Sequence, residues 1–329
     1  MLSRRHLVKY LVASGAISCL PSSTQSPRHP KDSLLTRLSS PVLLAGDADL
    51  AYRDPAAIYH AGWFHLFFTL IRKEHDGQRY SYLAWSKSRD LRDWTVPRTL
   101  TPADKRLEYG SPGDVIRAGK EWVLCLQTYP RPHGERYGSA DSRIWTMRSR
   151  DLEYWDAPVL LRVKGPDVSQ EAMGRMIDPF LLADKDQSNL WWCFYKQNGI
   201  GISRSSDLVH WQSFGKTDAG ENPCVIVDGG SYILFHSPPN GIGKKTSPDL
   251  VHWIDNGITT LGQQDWDWAK GRITAGFVLD LRQETHIRKA LMFFHASRFP
   301  EDDPRGGFDN FASIGIAWSD DLSLWSWPQ

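Results

Sequence analysis

Short apolar runs, each about one strand long and broken by a turn bearing Gly or Asp, recur along the chain. Three hairpin-like pairs show the pattern: "AAIYHAGWFHLFFT" from Ala56, "DVIRAGKEWVLCLQ" from Asp114 and "CVIVDGGSYILFHS" from Cys224. Runs this short, rich in aromatic and β-branched residues and bounded by turn formers, read as strands. In each unit a third short strand follows and leads into a polar corner. An outer strand then begins, as in "WTVPRTL" and "WDAPVLL". The pattern predicts an all-β chain made of repeated four-strand units.

The corner is a repeat in its own right. Ser-x-Asp-Leu-x-x-Trp occurs five times, at Ser88–Trp94, Ser149–Trp155, Ser205–Trp211, Ser247–Trp253 and Ser319–Trp325. Successive copies of its Asp lie 61, 56, 42 and 72 residues apart, a period that fits propeller blades. Ser and Asp side chains bond local backbone and so favour a turn. The five Trp are expected to pack rather than bind, and His210 and His252, inside the motif, share that structural role. After Trp325 only "SWPQ" remains, too short for an outer strand, whereas "SPVLL" (Ser40–Leu44) resembles "APVLL" of the second unit. A five-bladed β-propeller over residues 40–329, its ring closed by an N-terminal strand, follows, and closure removes an exposed sheet edge.

Composition changes this picture little. A formal charge of +1 across 329 residues gives no field to recruit nucleic acid. The first 19 residues, with Arg4 and Arg5 before a short apolar run from Leu11 to Ile17, read as a twin-arginine export signal, too short to span a bilayer. "AISC" resembles a lipoprotein cleavage site with Cys19 as the lipidated residue, and residues 20–39, rich in Ser and Pro, read as a tether. An exported protein is expected: periplasmic, extracellular or lipid-anchored at Cys19. Cys125, Cys193 and Cys224 each sit in an apolar run without metal-ligand spacing, which predicts buried free thiols.

In a propeller the first strand of every blade lines the axis, and its start faces one mouth. The five starts are "YRDPAAIY", "GSPGDVIR", "MIDPFLLA", "GENPCVIV" and "RITAGFVL". Aligned, they place a carboxylate at a shared position in three blades: Asp54, Asp178 and Glu221. Acids converging at an axis repel one another unless they have a task. Two carboxyl groups, one protonated and one ionised, suffice to cleave a glycosidic bond, and a third raises a neighbour's proton affinity.

At these residues the sequence resembles the five-bladed propeller glycosidases, most closely glycoside hydrolase family 43 and its neighbours. The resemblance spans residues 40–329: the five corners, "RDP" in blade one, "DPF" in blade three and Glu-x-Pro in blade four. It implies an inverting mechanism with Asp54 as catalytic base, Glu221 as general acid and Asp178 tuning the acid and orienting substrate. Asp114, in "SPGDV", is implied to be structural. Family members often carry a Gly-His pair at the start of blade five, its His beside an axial metal or water. Here "TAGFV" puts Phe277 there, so no cofactor is expected, and a central calcium ion loses its usual support. His295 could reach inward in its place, although a lone His on an apolar strand is more often a satisfied core residue.

The expected partner is a carbohydrate substrate. Arg272 is placed to meet a sugar hydroxyl or an acidic group, and Trp266 and Trp268, outside the repeat, are candidate sugar platforms. The segments "RPHGERYGSADS" and "FPEDDPRGGFDN" are candidate rim loops. Two alternatives accompany hydrolysis: a glycoside phosphorylase on the same fold, and a sugar-binding propeller without catalysis.

Overall fold

The computed structural model describes residues 34–329, apart from 134, 136, 301, 304, 306 and 308. The export signal, Cys19 and most of the tether lie outside the described residues. Five antiparallel sheets follow one another along the chain, each in hairpin order from an inner to an outer strand. Blade I runs Leu50–His60, Trp63–Lys73, Arg79–Ser88 and Arg98–Thr99. Blade III spans Ile177–Ala183 to Trp211–Thr217, and blade IV Glu221–Asp228 to Ile254–Thr259. In blade II the inner strand is split into Tyr109–Gly110 and Val115–Ala118, both pairing with Glu121–Thr128.

Blade V takes its outer strand from the other end of the chain. Val42 and Leu44 pair with Gly315 and Ile314 of Ala312–Ser319, the strand that runs into the fifth corner. The ring is therefore closed by hydrogen bonds between the chain's two ends, and the strand that would have been left as an edge is covered. Just before this strand, Leu34–Arg37 forms a single 3-10 turn that buries Leu35, and Leu38 is buried beside it. The propeller thus takes hold of the chain a few residues ahead of Ser40.

In all five corners the Ser hydroxyl accepts the Asp amide, and the Asp carboxylate accepts the two amides that follow Leu. At Ser149–Trp155, the Ser149 hydroxyl accepts the amides of Asp151 and Leu152, and Asp151 accepts those of Glu153 and Tyr154. All five corner leucines, Leu91, Leu152, Leu208, Leu250 and Leu322, have positive φ between 62° and 67°. A left-handed leucine costs about 1–2 kcal/mol, and Gly would avoid it. Leucine stands there because its side chain is core: Leu91 and Leu152 are fully buried. Trp94, Trp155 and Trp253 donate their indole N–H to the carbonyl of their own corner leucine, which closes the turn. These tryptophans pack, as the sequence indicates, but only Trp211 begins an outer strand. In blades I and II the outer strand starts later, at Arg98 and Val159. His210 and His252 bond the Asp of their own corners at 2.7 Å on the exposed rim.

The core is rich in aromatic residues, with Phe64, Phe67, Phe68, Phe194, Phe235, Phe293 and Phe294 fully buried in its largest cluster and a second cluster between blades II and III. Cys125, Cys193 and Cys224 are free thiols within the core, and burial pushes the Cys125 thiol up to about 12. At the axis the blades come very close. A Cβ on Gly113 would lie 1.3 Å from the Pro179 carbonyl oxygen, so only glycine fits where blade II meets blade III. Among the described residues no helix is long and apolar enough to cross a membrane.

If burial is what keeps a leucine at the corner, Leu152→Ala should cost about 2–5 kcal/mol in urea unfolding. Leu152→Gly removes the left-handed strain and should recover no more than about 1–2 kcal/mol of that loss. A glycine variant as stable as the native protein would contradict this account.

Candidate active site

The site grows from a single backbone feature repeated around the axis. Each inner strand carries one non-glycine residue with positive φ: Asp54 (46°), Ser111 (43°), Asp178 (51°), Asn222 (49°) and Ala275 (52°). In blades I, III, IV and V the sheet register shifts at this residue, between Arg53 and Ala56, Ile177 and Phe180, Glu221 and Cys224, and Thr274 and Phe277. The bulge turns two residues out of the ladder, and in the first four blades the second of them is proline, which has no amide to lose.

The amide freed at each bulge is capped from the second strand of the preceding blade. Ser111 N–H donates to Thr69 Oγ1 (2.6 Å), Asp178 N–H to Gln127 Oε1 (2.6 Å) and Ala275 N–H to Ser237 Oγ (2.8 Å). Asp54 N–H donates to His295 Nδ1 (3.0 Å), which joins blade V to blade I. Blade III breaks the pattern. The residue opposite Ile177 is Lys196, a donor that cannot accept, and Asn222 N–H turns instead to Asp178 Oδ2 at 3.3 Å.

Above this ring opens a cleft of about 420 Å³ lined by Asp54, Asp178 and Glu221 together. Behind it a cavity of about 20 Å³ lies on the axis, walled by the bulges themselves and by Phe277. The sequence alignment placed Glu221 at the position of Asp54 and Asp178, and the structure corrects this. The bulge residue of blade IV is Asn222, and Glu221 precedes it, opposite Ser237 in the ladder. Glu221 still reaches the cleft. It does so from the position that Arg53, Ile177 and Thr274 hold in their own blades.

The carboxyl groups have different surroundings. Asp178 is buried and accepts the Ser111 hydroxyl at 2.7 Å. Burial, then the Glu221 and Asp54 charges, raises its carboxyl to about 7 against the opposition of its hydrogen bonds. The Asp54 carboxyl is also raised, by burial first, while Arg53, the Thr69 hydroxyl at 2.9 Å and Arg272 favour its ionised form. Asp114 lines neither cavity. It accepts the Val115 amide at 2.7 Å, and burial lifts it to about 7 as well.

The other candidates separate. Arg272 and His295 line the cleft. Trp266 and Trp268 do not: they stack on each other with ring centres 5.2 Å apart, and both stack on Phe294. They cover the flank of blade V, where Trp268 lies against Gly315. Both rim segments reach the cleft, and Arg131 joins them. Its guanidinium bonds the buried Glu108 at 2.8 Å and Asp309 at 2.9 Å. Tyr129, Gln127 and Arg131 also line the cleft. Arg131 opens the first of the two rim segments the sequence singled out, whereas Tyr129 and Gln127 were missed, although Gln127 stands where an apolar run ends in a polar residue. Among the described residues no group of three or more His, Cys, Asp or Glu is arranged to hold a metal ion.

No family model and no curated protein matches the sequence. Solved structures do match. An exo-1,5-α-L-arabinanase from a bovine ruminal metagenomic library aligns over 85% of this chain and 97% of its own, at 14% identity and a TM-score of 0.56. The fold is that of the propeller glycosidases. The arabinanase of Bacillus subtilis aligns over 86% and 99% of the two chains, at 16% identity and a TM-score of 0.54. A structure from family 130 covers 90% of this chain and 93% of its own, at 15% identity and a TM-score of 0.59. That family of mannoside phosphorylases contains glycoside hydrolases that target β-1,2-mannosidic linkages in Candida mannan.

The raised Asp178 carboxyl has a consequence for stability. A proton is held up to about pH 7 in the folded chain, against an ordinary value of 3.8, so folding is favoured most below the ordinary value. That contribution is lost as pH rises through about 7. Between about pH 4 and 7 the melting temperature of the native protein should therefore fall relative to that of Asp178→Asn. Parallel curves would contradict the assignment.

Proposed function

We propose that the chain is a glycoside hydrolase acting on an oligo- or polysaccharide by inversion, with Asp54 as base and Glu221 as acid. The observation that carries this reading is the meeting of Asp54, Asp178 and Glu221, from three blades, in one cleft. Glu221 gives its proton to the leaving oxygen as the bond from that oxygen to the anomeric carbon breaks. Water attacks the opposite face of the sugar, and Asp54 takes the proton the water releases. Thr69 fixes the Asp54 carboxylate, and the neighbouring guanidinium groups favour its ionised state. Asp178, anchored through both oxygens by Ser111 and Asn222, orients the sugar.

One observation favours a second reading. Arg53, Arg272 and His295 gather beside Asp54, and a phosphorylase needs such a cluster to hold phosphate as the nucleophile. The presence of Asp54 as a ready base supports hydrolysis first. A panel of plant and algal oligosaccharides, with and without phosphate, separates the two.

Asp54→Asn and Glu221→Gln should each lower turnover by about 10²–10⁴-fold on the active glycan without unfolding the protein. Asp178→Asn should lower it too, and Asp114→Asn should leave it largely intact. Proton NMR of the first product should show the inverted anomer. Near-native turnover in both Asp54→Asn and Glu221→Gln would end the hydrolase reading, and a retained anomer would remove the base role from Asp54.

Export belongs to the same reading, since a polymeric glycan is met outside the cytoplasm. Lys at positions 4 and 5 should hold the precursor inside the cell, and mass spectrometry of the exported form should show a start at or after Cys19. A lipid adduct on that residue would identify an anchored form. An exported chain still carrying Met1 would contradict the signal.

A further inference from the structure

We propose that the blade V wall of the cleft is an oxyanion subsite, and that the sugar bound there is a uronic acid whose carboxylate it holds. This deepens the hydrolase reading and rests on it for the word substrate, though not for binding.

The register sets Arg272 opposite Ser297 and Thr274 opposite His295, so all four present one face of the hairpin to the cleft. Three polar atoms on that face are buried and have no partner within the protein: Arg272 Nε, Thr274 Oγ1 and His295 Nε2. Buried polar groups are nearly always paired, so three orphans side by side point to a ligand. Their chemistry is one-sided. His295 Nδ1 accepts the Asp54 amide, which leaves the ring hydrogen on Nε2 and makes that atom a donor. Burial and the two guanidinium groups hold the ring neutral, which keeps this tautomer. Arg272 can only donate, and its hydrogen bond to the Pro238 carbonyl is long, at 3.4 Å. The threonine can donate as well. Whatever meets this wall must accept.

Charge decides between a hydroxyl and a carboxylate. Arg272 lies close enough to disfavour the charge on Arg53, and both act on His295. Asp54 faces both of them, one negative charge against two, and Asp309, which also acts on Arg53, is paired with Arg131. Among the described residues Arg272 forms no ion pair, whereas Arg131 is held by Glu108 and Asp309, and Lys105 by Glu108. A neutral hydroxyl would accept a hydrogen bond and leave the second positive charge unbalanced. A carboxylate meets the planar fork of Arg272 in two parallel bonds and balances it.

The test is calorimetric titration of the full chain with glucuronate and galacturonate, beside glucose, galactose and inorganic phosphate as probes. Uronates should bind about 10- to 100-fold more tightly than the neutral sugars, and Arg272→Gln should remove that difference. Arg272→Lys keeps charge without the fork and should fall between, and Thr274→Val should weaken binding less. Added salt should weaken uronate binding in the native protein, a readout that needs no variant to fold. Equal binding of neutral sugars, or an Arg272→Gln protein that keeps the preference, overturns the proposal. So does phosphate binding that depends on Arg272 while uronates are ignored, which would make the anion a co-substrate. Uronate binding without turnover of any uronide keeps the subsite and rejects hydrolysis. Turnover of neutral glycosides with no uronate preference does the reverse.

Discussion

Everything near the axis depends on how five unpaired amides are satisfied. A propeller brings its inner strands together at one mouth, and each strand leaves the ladder there through a left-handed bulge. A non-glycine residue in that conformation is strained, and the amide beside it would be costly if buried without a partner. The cap from the preceding blade resolves both problems, because it fixes the bulge and ties each blade to the next. Strain held in place by neighbours on both sides suits a site that must position side chains to within a fraction of an ångström. The residues in the strained positions include Asp54 and Asp178.

The one exception in the ring explains much of the site. Where Lys196 replaces an acceptor, the Asn222 amide has only the Asp178 carboxylate to turn to. Asp178 is therefore both a bulge residue and the cap of the next bulge, and the blade III to blade IV junction runs through its carboxylate. The opposite junction, blade V to blade I, runs through His295 Nδ1. Two members of the ring are thus groups that exchange protons in water, and each is restricted by its structural bond. Asp178 must keep acceptor capacity toward Asn222, and His295 must keep its hydrogen on the nitrogen that faces the cleft.

Much of this was legible in the sequence, and the reasons for the misses are specific. The corners showed because Ser, Asp, Leu and Trp each do one fixed job there, and the truncated fifth copy pointed to Val42–Leu44. Asp54, Asp178 and Arg272 were found because inner-strand starts are equivalent by symmetry. Glu221 was placed one residue out because the alignment followed charge rather than proline. Pro55, Pro112, Pro179 and Pro223 mark the bulge in four blades, and aligning on them puts Asn222 beside Asp54 and Asp178. The capping residues also left a trace. Gln127, Lys196 and Ser237 each stand at or next to the polar end of an apolar second strand and His295 two residues from it, whereas Thr69 lies inside Trp63–Lys73 and left no such trace. Trp266 and Trp268 were misjudged because a loop position does not tell which way a ring faces, and Phe294 and Gly315 offered them a flat apolar seat.

The offset of Glu221 organises the cleft further. Bulge residues wall the small axial cavity, while the residues just before them, Arg53, Ile177, Glu221 and Thr274, line only the cleft above it. Two concentric layers result, separated by about one residue rise of roughly 3.3 Å along the strand. Asp54 and Asp178 belong to the deep layer, and Glu221 to the shallow one beside Arg53 and Thr274. In the proposed mechanism the proton donor, Glu221, belongs to the shallow layer and the base, Asp54, to the deep one. The shallow layer also differs from blade to blade, being cation, aliphatic, carboxylate and hydroxyl in turn at Arg53, Ile177, Glu221 and Thr274. Symmetry is thus spent on the deep layer, which holds the ring together, and chemical variety is left to the layer above it.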